Sequence, residues 1–339
     1  MDQFIFNTSQ LKKMNIELVK KVLKLQGIST KAGIAKMTNL SVATCGTILN
    51  ELVETGEVIE LEPDESNGGR PALKYQYNAN YGFIINLLVR TEGGKQSISY
   101  NIINLIGELM NEGIHKTNNI NREEIDNLIS KIVSEYNVVF AIGIGIPGVV
   151  DRGVIGVCDV PDLVGVSLGS FLEEKYKLPV TIENDMNMTV YGFYHLQNYE
   201  EAKTFGIVTF PKDHFPGASF IVDGLVLKGN TKFGGEVSFL PFGVTREMQL
   251  KALHTEEGFL EIAIKTLTSI IAIINPVTLV ITGELPREEQ LNQLYMGCLE
   301  YIPKEHMPQL IIQNNTCNEY MKGLATTTLE SLSWSFKNK

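Results

Sequence analysis

The residues best suited to chemistry stand together at Glu183-Asn184-Asp185-Met186-Asn187. Asn184 can both donate and accept hydrogen bonds, and Asp185 can accept two or more. That pairing suits a polyhydroxylated ligand, whose every hydroxyl is donor and acceptor at once. The preceding run, Val180-Thr181-Ile182, is rich in β-branched residues and reads as a buried strand, and a helical pattern with Val190, Tyr191 and Phe193 follows. Polar side chains at the carboxyl end of a buried strand in an α/β sheet stand where ligands bind. The same two residues would also serve as a plain cap for the following helix, and this stretch alone leaves both readings open.

The elements that must position these residues are legible from about Tyr81 onward. Residues 83–89 and 97–105 read as strands, 124–136 as an amphipathic helix and 138–146 as a buried strand. That strand runs into Pro147-Gly148-Val149-Val150-Asp151, a sharp turn that lets backbone approach a ligand. A short strand at 154–158 and a helix at 168–175 lead to the polar stretch. A second α/β unit begins near Thr204, with a strand at 205–210 and a hairpin turning on Asp223-Gly224. A glycine-rich loop at 229–235, then Glu236, a long helix at 258–274 and a strand ending at Thr282-Gly283-Glu284 complete it. Two such lobes with a cleft between them suit a small molecule.

Before this body lies a different pattern. Residues 16–26 show helical spacing and stop at Gly27. A short helix around Gly33-Ile34-Ala35-Lys36-Met37 and a second one capped by Ser41 flank the turn Thr38-Asn39-Leu40, a helix-turn-helix arrangement. Strands at 58–61 and 73–77, joined through Asn67-Gly68-Gly69-Arg70-Pro71, make it the winged form. The candidate reading helix presents Ser41, Thr44 and Thr47 to bases or phosphates, and Arg70 stands at the wing tip as a phosphate or minor-groove contact. Residues 1–50 hold seven lysines against Asp2 and Glu17, a balance of +5 in a chain whose net charge is -10. A basic end on an acidic body is the footprint of a nucleic-acid arm, whereas the body has no attraction for nucleic acid or anionic membrane.

A chain of 339 residues holds two or three domains. We divide it into 1–80, a winged helix-turn-helix, and 81–339, a two-lobed body parted near residue 200. Cys45, Cys158, Cys298 and Cys317 form no metal-binding pair and read as reduced thiols. No leader pattern opens the chain, and the longest apolar run, at 267–274, is far short of the ~20 residues of a membrane span. A cytoplasmic protein is the expectation.

The ordered set of motifs resembles the ROK family (repressors, open reading frames, kinases), whose core is similar to sugar kinases of the actin-like, ribonuclease H-like ATPase fold. The segments that carry the resemblance span nearly the whole chain: Gly69-Arg70-Pro71-Ala72, the run 143–151, the runs 178–180 and 183–187, Gly234-Gly235-Glu236-Val237, Gly258-Phe259-Leu260-Glu261, and Asn275-Pro276. The resemblance implies that Asn184, Asp185, Glu236 and Glu261 hold sugar hydroxyls, Asp185 matching the general base of the family kinases.

The departures from the family pattern are equally informative. No Asp-x-Gly-x-Thr phosphate loop lies between Tyr81 and Asn101, and the second phosphate loop is replaced by Pro211-Lys212-Asp213-His214-Phe215-Pro216-Gly217. Prolines and bulky side chains remove the array of backbone N–H groups that cradles phosphate. Glu284 stands where the family has glycine on the adenosine side. The family zinc ligands fall on Phe239, Ala252, His254 and Phe259, leaving at most one donor where four are needed, so no metal and no cofactor are expected. His195, His214 and His254 are given no role. The expectation is a sugar-responsive DNA-binding regulator, a repressor of carbohydrate-utilisation genes without kinase activity, acting on operator DNA as a homodimer or homotetramer. The alternatives are an ATP-dependent sugar kinase that keeps its DNA-binding arm, and a regulator with a degenerate effector site governed by a partner protein.

Overall fold

The computed structural model describes residues 8–62, 72–92, 95–117, 119–136, 138–197 and 202–334. Its first part consists of helix α1 (Thr8–Gln26), strand β1 (Ile28–Thr30), helices α2 (Lys31–Thr38) and α3 (Val42–Glu54), and strands β2 (Val58–Leu61) and β3 (Lys74–Tyr77). The helix starts follow from local chemistry. Thr30 Oγ1 accepts the Gly33 N–H at 3.2 Å, and Ser41 Oγ accepts the Thr44 N–H at 3.0 Å, each satisfying an orphan donor of the first turn. Asn39 makes the turn between α2 and α3 with φ 55°, a conformation that asparagine tolerates better than most residues. The strands form a sheet in the order β1-β3-β2. Strand β1 is invisible to the sequence reading, because three residues are too few to show alternation and Thr30 already serves as a cap.

Val19, Leu23, Ile34, Cys45, Leu49, Leu52 and Tyr75 fill the core of this head, and the same cluster takes in Tyr81, Leu105, Phe140 and Leu332 from the body. The head is thus packed on the body through a shared apolar core.

The first lobe holds β4 (Phe83–Glu92), β5 (Lys95–Asn104), β6 (Leu109–Thr117), α4 (Arg122–Glu135), β7 (Val139–Ile146), β8 (Gly148–Asp151), β9 (Val154–Cys158), α5 (Leu168–Tyr176), β10 (Val180–Asn184) and α6 (Asp185–Leu196). Its sheet runs β10-β7-β4-β5-β6, with β10 and β4 parallel to β7, which lies between them. Buried on both faces, β7 reads as a continuous apolar run. Edge strand β6 is exposed along most of its length and shows no apolar alternation, so it is missing from the sequence reading.

The second lobe holds β11 (Phe205–Thr209), β12 (Gly217–Val222), β13 (Leu225–Val226), α7 (Arg246–Leu253), α8 (Glu256–Ile274), β14 (Thr278–Thr282), α9 (Leu291–Leu299) and β15 (Gln309–Ile312), with the sheet ordered β13-β12-β11-β14-β15. Asp223 and Gly224 both take positive φ, 52° and 77°, as the type I′ turn between β12 and β13 requires.

Helix α10 (Cys317–Trp334) corrects the boundary drawn near residue 200. It does not stay with the second lobe but returns to lie on α6, β4 and β7 of the first. Tyr320 and Leu324 pack with Leu88 and Met188, and Ala325 with Ile84 and Ala141. The opposite side of α6, through Val190 and Phe193, packs on Phe205, Ile207 and Ile221 of the second lobe. Helix α6 therefore stands between the lobes, and its first turn is the polar stretch on which the sequence reading centres.

Candidate functional site

The parallel register sets Asn184 beside Ile146, so β10 and β7 end together and the chain beyond each meets at one place. There a small, partly open cleft is lined by Val149 and Val150, by Glu183, Asn184, Met186 and Asn187, and on the facing lobe by Gly217, Ala218, Lys228, Lys232 and Gly234–Glu236. Polar contacts among the described residues cross this cleft between the lobes. Lys228 Nζ donates to Glu183 Oε1 at 2.5 Å, Ser219 Oγ donates to Asn187 Oδ1 at 2.6 Å, and His214 Nδ1 lies 3.8 Å from Asp159 Oδ1. His214, given no role from sequence, is thus a cross-cleft residue.

Asn184 is the N-cap of α6: its Oδ1 accepts the Asn187 N–H at 2.9 Å. Its Nδ2 donates to the Gly148 carbonyl at 2.9 Å and to Asp185 Oδ1 at 3.1 Å. The capping reading and the cleft reading both hold for it, because a cap at this strand end also faces the cleft. Asp185 Oδ1 accepts the Met186 N–H at 2.8 Å as well, which leaves Oδ2 without a hydrogen bond among the described residues. Asp185 itself is not among the lining side chains, although both neighbours are. Burial pushes its carboxyl up to about 7. The Met186 amide opposes that shift, nearby Asp159 adds to it, and Arg90 weakly opposes it.

Glu236 lines the cleft half-buried, and burial raises its pKa against the pull of Arg246. Gly235 brings it there: φ is 97°, and a Cβ on this residue would lie 1.9 Å from the Ala218 carbonyl oxygen, so only glycine fits. Glu261 is elsewhere. Its carboxylate is exposed on α8, pairs with Lys265 at 2.6 Å one turn on, and is absent from the cleft lining, so the structure does not bring it to the other three. Sequence reasoning missed Lys228 and Lys232, since lysines in a glycine-rich loop carry no spacing signal. Glu183 and Asn187 lay within the quoted polar run and were passed over.

On the far side of the cleft, the Lys212 N–H donates to Glu284 Oε2 at 2.8 Å. The carboxylate has taken a backbone donor in the segment that replaces the second phosphate loop. The strands of the first hairpin are paired from Phe83↔Asn104 to Glu92↔Lys95. Around Phe239, Arg246 is held between two rings, 3.8 Å from the Phe215 centroid and 4.0 Å from that of Phe239. Phe259 is buried against Phe210.

In the head, Ser41 and Thr47 are exposed and Thr44 is half-buried. Ser41 Oγ and Thr44 Oγ1 lie 2.8 Å apart, and Thr47 Oγ1 donates to the Ala43 carbonyl at 3.2 Å. Arg70 lies outside the described residues. The lysines are less free than their number implies. Lys12 pairs with Glu51, Lys20 with Glu57, and Lys24 lies over the Tyr77 ring at 4.6 Å. Lys13, Lys21 and Lys36 carry no ion pair among the described residues.

The ROK family model matches residues 91–244. The chain is 27% identical over 242 residues to a xylose repressor of Caldicellulosiruptor bescii, covering 68% of this chain and 59% of the relative. It is 26% identical over 244 residues to the xylose repressor of Bacillus subtilis, covering 68% and 61%. These matches thus take in about three-fifths of the relatives' length. In fold, the chain is similar to a ROK family transcriptional regulator described as a homologue of the E. coli Mlc protein, with a TM-score of 0.64 at 16% identity over 96% of this chain and 99% of that one. It is also similar to a ROK hexokinase from Thermus thermophilus, with a TM-score of 0.60 at 19% identity over 74% and 99%. No helix among the described residues is long and apolar enough to cross a membrane. Residues 91–244 thus match the ROK family, and the body has the α/β, sugar-kinase-like fold also seen in a ROK hexokinase.

Proposed function

We propose that this protein is a sugar-responsive, DNA-binding transcriptional repressor of carbohydrate-utilisation genes, cytoplasmic, without kinase activity and working on a two-fold operator as a homodimer or homotetramer. The observation that carries the reading is the Glu284 carboxylate on the Lys212 amide, in a body whose cleft is lined by Asn184 and Glu236, with Asp185 next to Asn184 in the chain. A carboxylate held at that place repels nucleotide phosphate and uses a donor that phosphate would need. A sugar cleft without a phosphate cradle serves binding rather than phosphoryl transfer. The xylose-repressor relatives support the same reading. In this reading the head contacts DNA through Ser41, the N-cap of α3, and through Thr44 and Thr47 on that helix; Arg70, assigned to DNA from the sequence, lies outside the described residues.

A ligand that closes the lobes acts on α6, which packs on α10, and α10 carries Leu332 into the core of the head. This contiguous packing offers a route by which the ligand biases the placement of the two heads, provided the ligand binds the two states unequally. The test is selection of bound sequences from a random DNA pool by the purified full chain, followed by displacement with a sugar panel. An enriched two-fold motif released or tightened by a sugar supports the proposal. Absence of any enrichment, or sugar-dependent consumption of ATP with Mg²⁺, overturns it.

A further inference from the structure

The cleft contains two ammonium groups that a neutral sugar does not require. Lys228 and Lys232 both line it, on the wall formed by the second lobe. The loop between them is pinched shut. The Gly234 N–H donates to the Lys228 carbonyl at 3.3 Å, and a Cβ on Gly229 would lie 3.3 Å from the Gly234 nitrogen. Lys232 sits near the tip with φ 62°, a left-handed conformation that this fold holds for a residue that disfavours it. The pinch delivers both lysines to the same mouth.

The charges there do not all cancel. Lys228 is neutralised by Glu183 at 2.5 Å. Glu236 is half-buried and sits in the field of Arg246, which is itself clasped between Phe215 and Phe239. Lys232 is half-buried and has no ion pair or hydrogen bond among the described residues. A partly desolvated ammonium without a partner is unfavourable unless a ligand supplies one.

We infer that the effector is an anionic sugar, carrying a carboxylate or a phosphate, and that Lys232 receives the anionic group while Asn184, Asp185 and Glu236 hold hydroxyls. The inference rests on the sugar-sensing reading above and narrows it. An ammonium is the fitting partner, since it is a compact point charge with rotatable donors and serves either anion.

The test is isothermal titration of the full chain at pH 7.5 with glucose, galactose and xylose, with glucuronate and galacturonate, with glucose 6-phosphate, and with inorganic phosphate alone. The expected result is at least tenfold tighter binding of one anionic sugar than of its neutral parent, weakening as salt rises. Whether the uronates or the sugar phosphate show it identifies the source of the charge. Lys232→Asn, which keeps a residue tolerant of the left-handed backbone, abolishes the preference, and Lys232→Arg retains most of it. Equal or tighter binding of the neutral sugars overturns the inference and leaves the sugar-sensing reading standing. Inorganic phosphate binding as tightly as glucose 6-phosphate shows an adventitious ion only and overturns it too. A preference unchanged in Lys232→Asn does the same, and no sugar binding of either kind removes both readings.

Discussion

Lys228 and Glu183 close the cleft from opposite lobes, Nζ to Oε1 at 2.5 Å, with side chains 35% and 22% exposed. The pair is sheltered enough for loss of one partner to matter and wet enough for the pair itself to contribute modestly. We expect Lys228→Met and Glu183→Gln each to lower unfolding free energy by about 1–2 kcal/mol, because each leaves a half-buried polar group without its partner. The double variant should cost less than the sum of the two. Urea denaturation of the four proteins decides it: strictly additive losses would mean that the contact does not couple the lobes.

Asp185 should govern how stability changes with pH. Its folded-state value of about 7 lies above the ordinary 3.8, chiefly because of burial. Below about pH 4 the carboxyl is protonated in both states and contributes nothing to the pH dependence. Between pH 4 and 7 the unfolded chain ionises first and releases its proton, so stability falls as pH rises, and the loss levels off above the folded value. The full difference is at most about 4 kcal/mol, from three units at 1.36 kcal/mol each. Asp185→Asn keeps the shape and removes the titration. It should match the parent near pH 4 and exceed it at pH 8, as read from denaturation midpoints at both pH values. Parallel pH profiles for the two proteins would exclude this assignment.

How far these features were legible in sequence depends on the range over which each is determined. The polar end of β10, the helix caps at Thr30 and Ser41 and the Asp223-Gly224 turn are set by neighbours three or fewer residues away, so residue types were enough. Strand β6 pairs along an exposed edge, and β1 is three residues long; neither has a hydrophobic period to read. The return of α10 to the first lobe depends on packing against α6, more than a hundred residues earlier in the chain. Of the four acidic and amide residues expected at the sugar, Glu261 failed because a motif match gives no direction to a side chain. Its neighbour Lysine at 265, one turn on, offered a nearer partner.

Arg246 holds together the region where the family metal ligands are replaced. Its guanidinium is sandwiched by Phe215 and Phe239 and donates to the Ser238 carbonyl at 3.5 Å and Ser238 Oγ at 3.3 Å. A cation over an aromatic face contributes about 0.5–2 kcal/mol, and the side chain's stem adds packing. Arg246→Ala should therefore lower stability by about 2 kcal/mol, and Arg246→Lys by about half of that, since an ammonium lacks the planar face that stacks on two rings. It should also raise the Glu236 pKa further by removing the charge that opposes burial. Differential scanning calorimetry of the two variants tests the first point, and equal melting of all three proteins would contradict it.

The lysines of the head should divide into two groups in their effect on DNA binding. Lys12 and Lys20 are engaged with Glu51 and Glu57, and Lys24 lies on Tyr77 with its pKa lowered, burial being the main cause. Drawing them onto phosphate would first require breaking those contacts. Lys36 is exposed in the last turn of α2, beside the turn into α3, with no ion pair among the described residues. Each lysine that neutralises a phosphate adds roughly 0.9 to the slope of log K against log salt. Lys36→Ala should lower that slope by about 1 and weaken binding evenly across sequences, whereas Lys12→Ala should leave it unchanged. If α3 is the reading helix as proposed, Thr47→Ala should instead alter sequence preference, since an exposed hydroxyl on such a helix is within reach of base edges. Fluorescence anisotropy on one selected duplex and one scrambled duplex, at four salt concentrations, separates the three behaviours. A slope that falls equally for Lys12→Ala and Lys36→Ala would show that the ion pairs of α1 yield to DNA, and that the whole basic end is the binding surface.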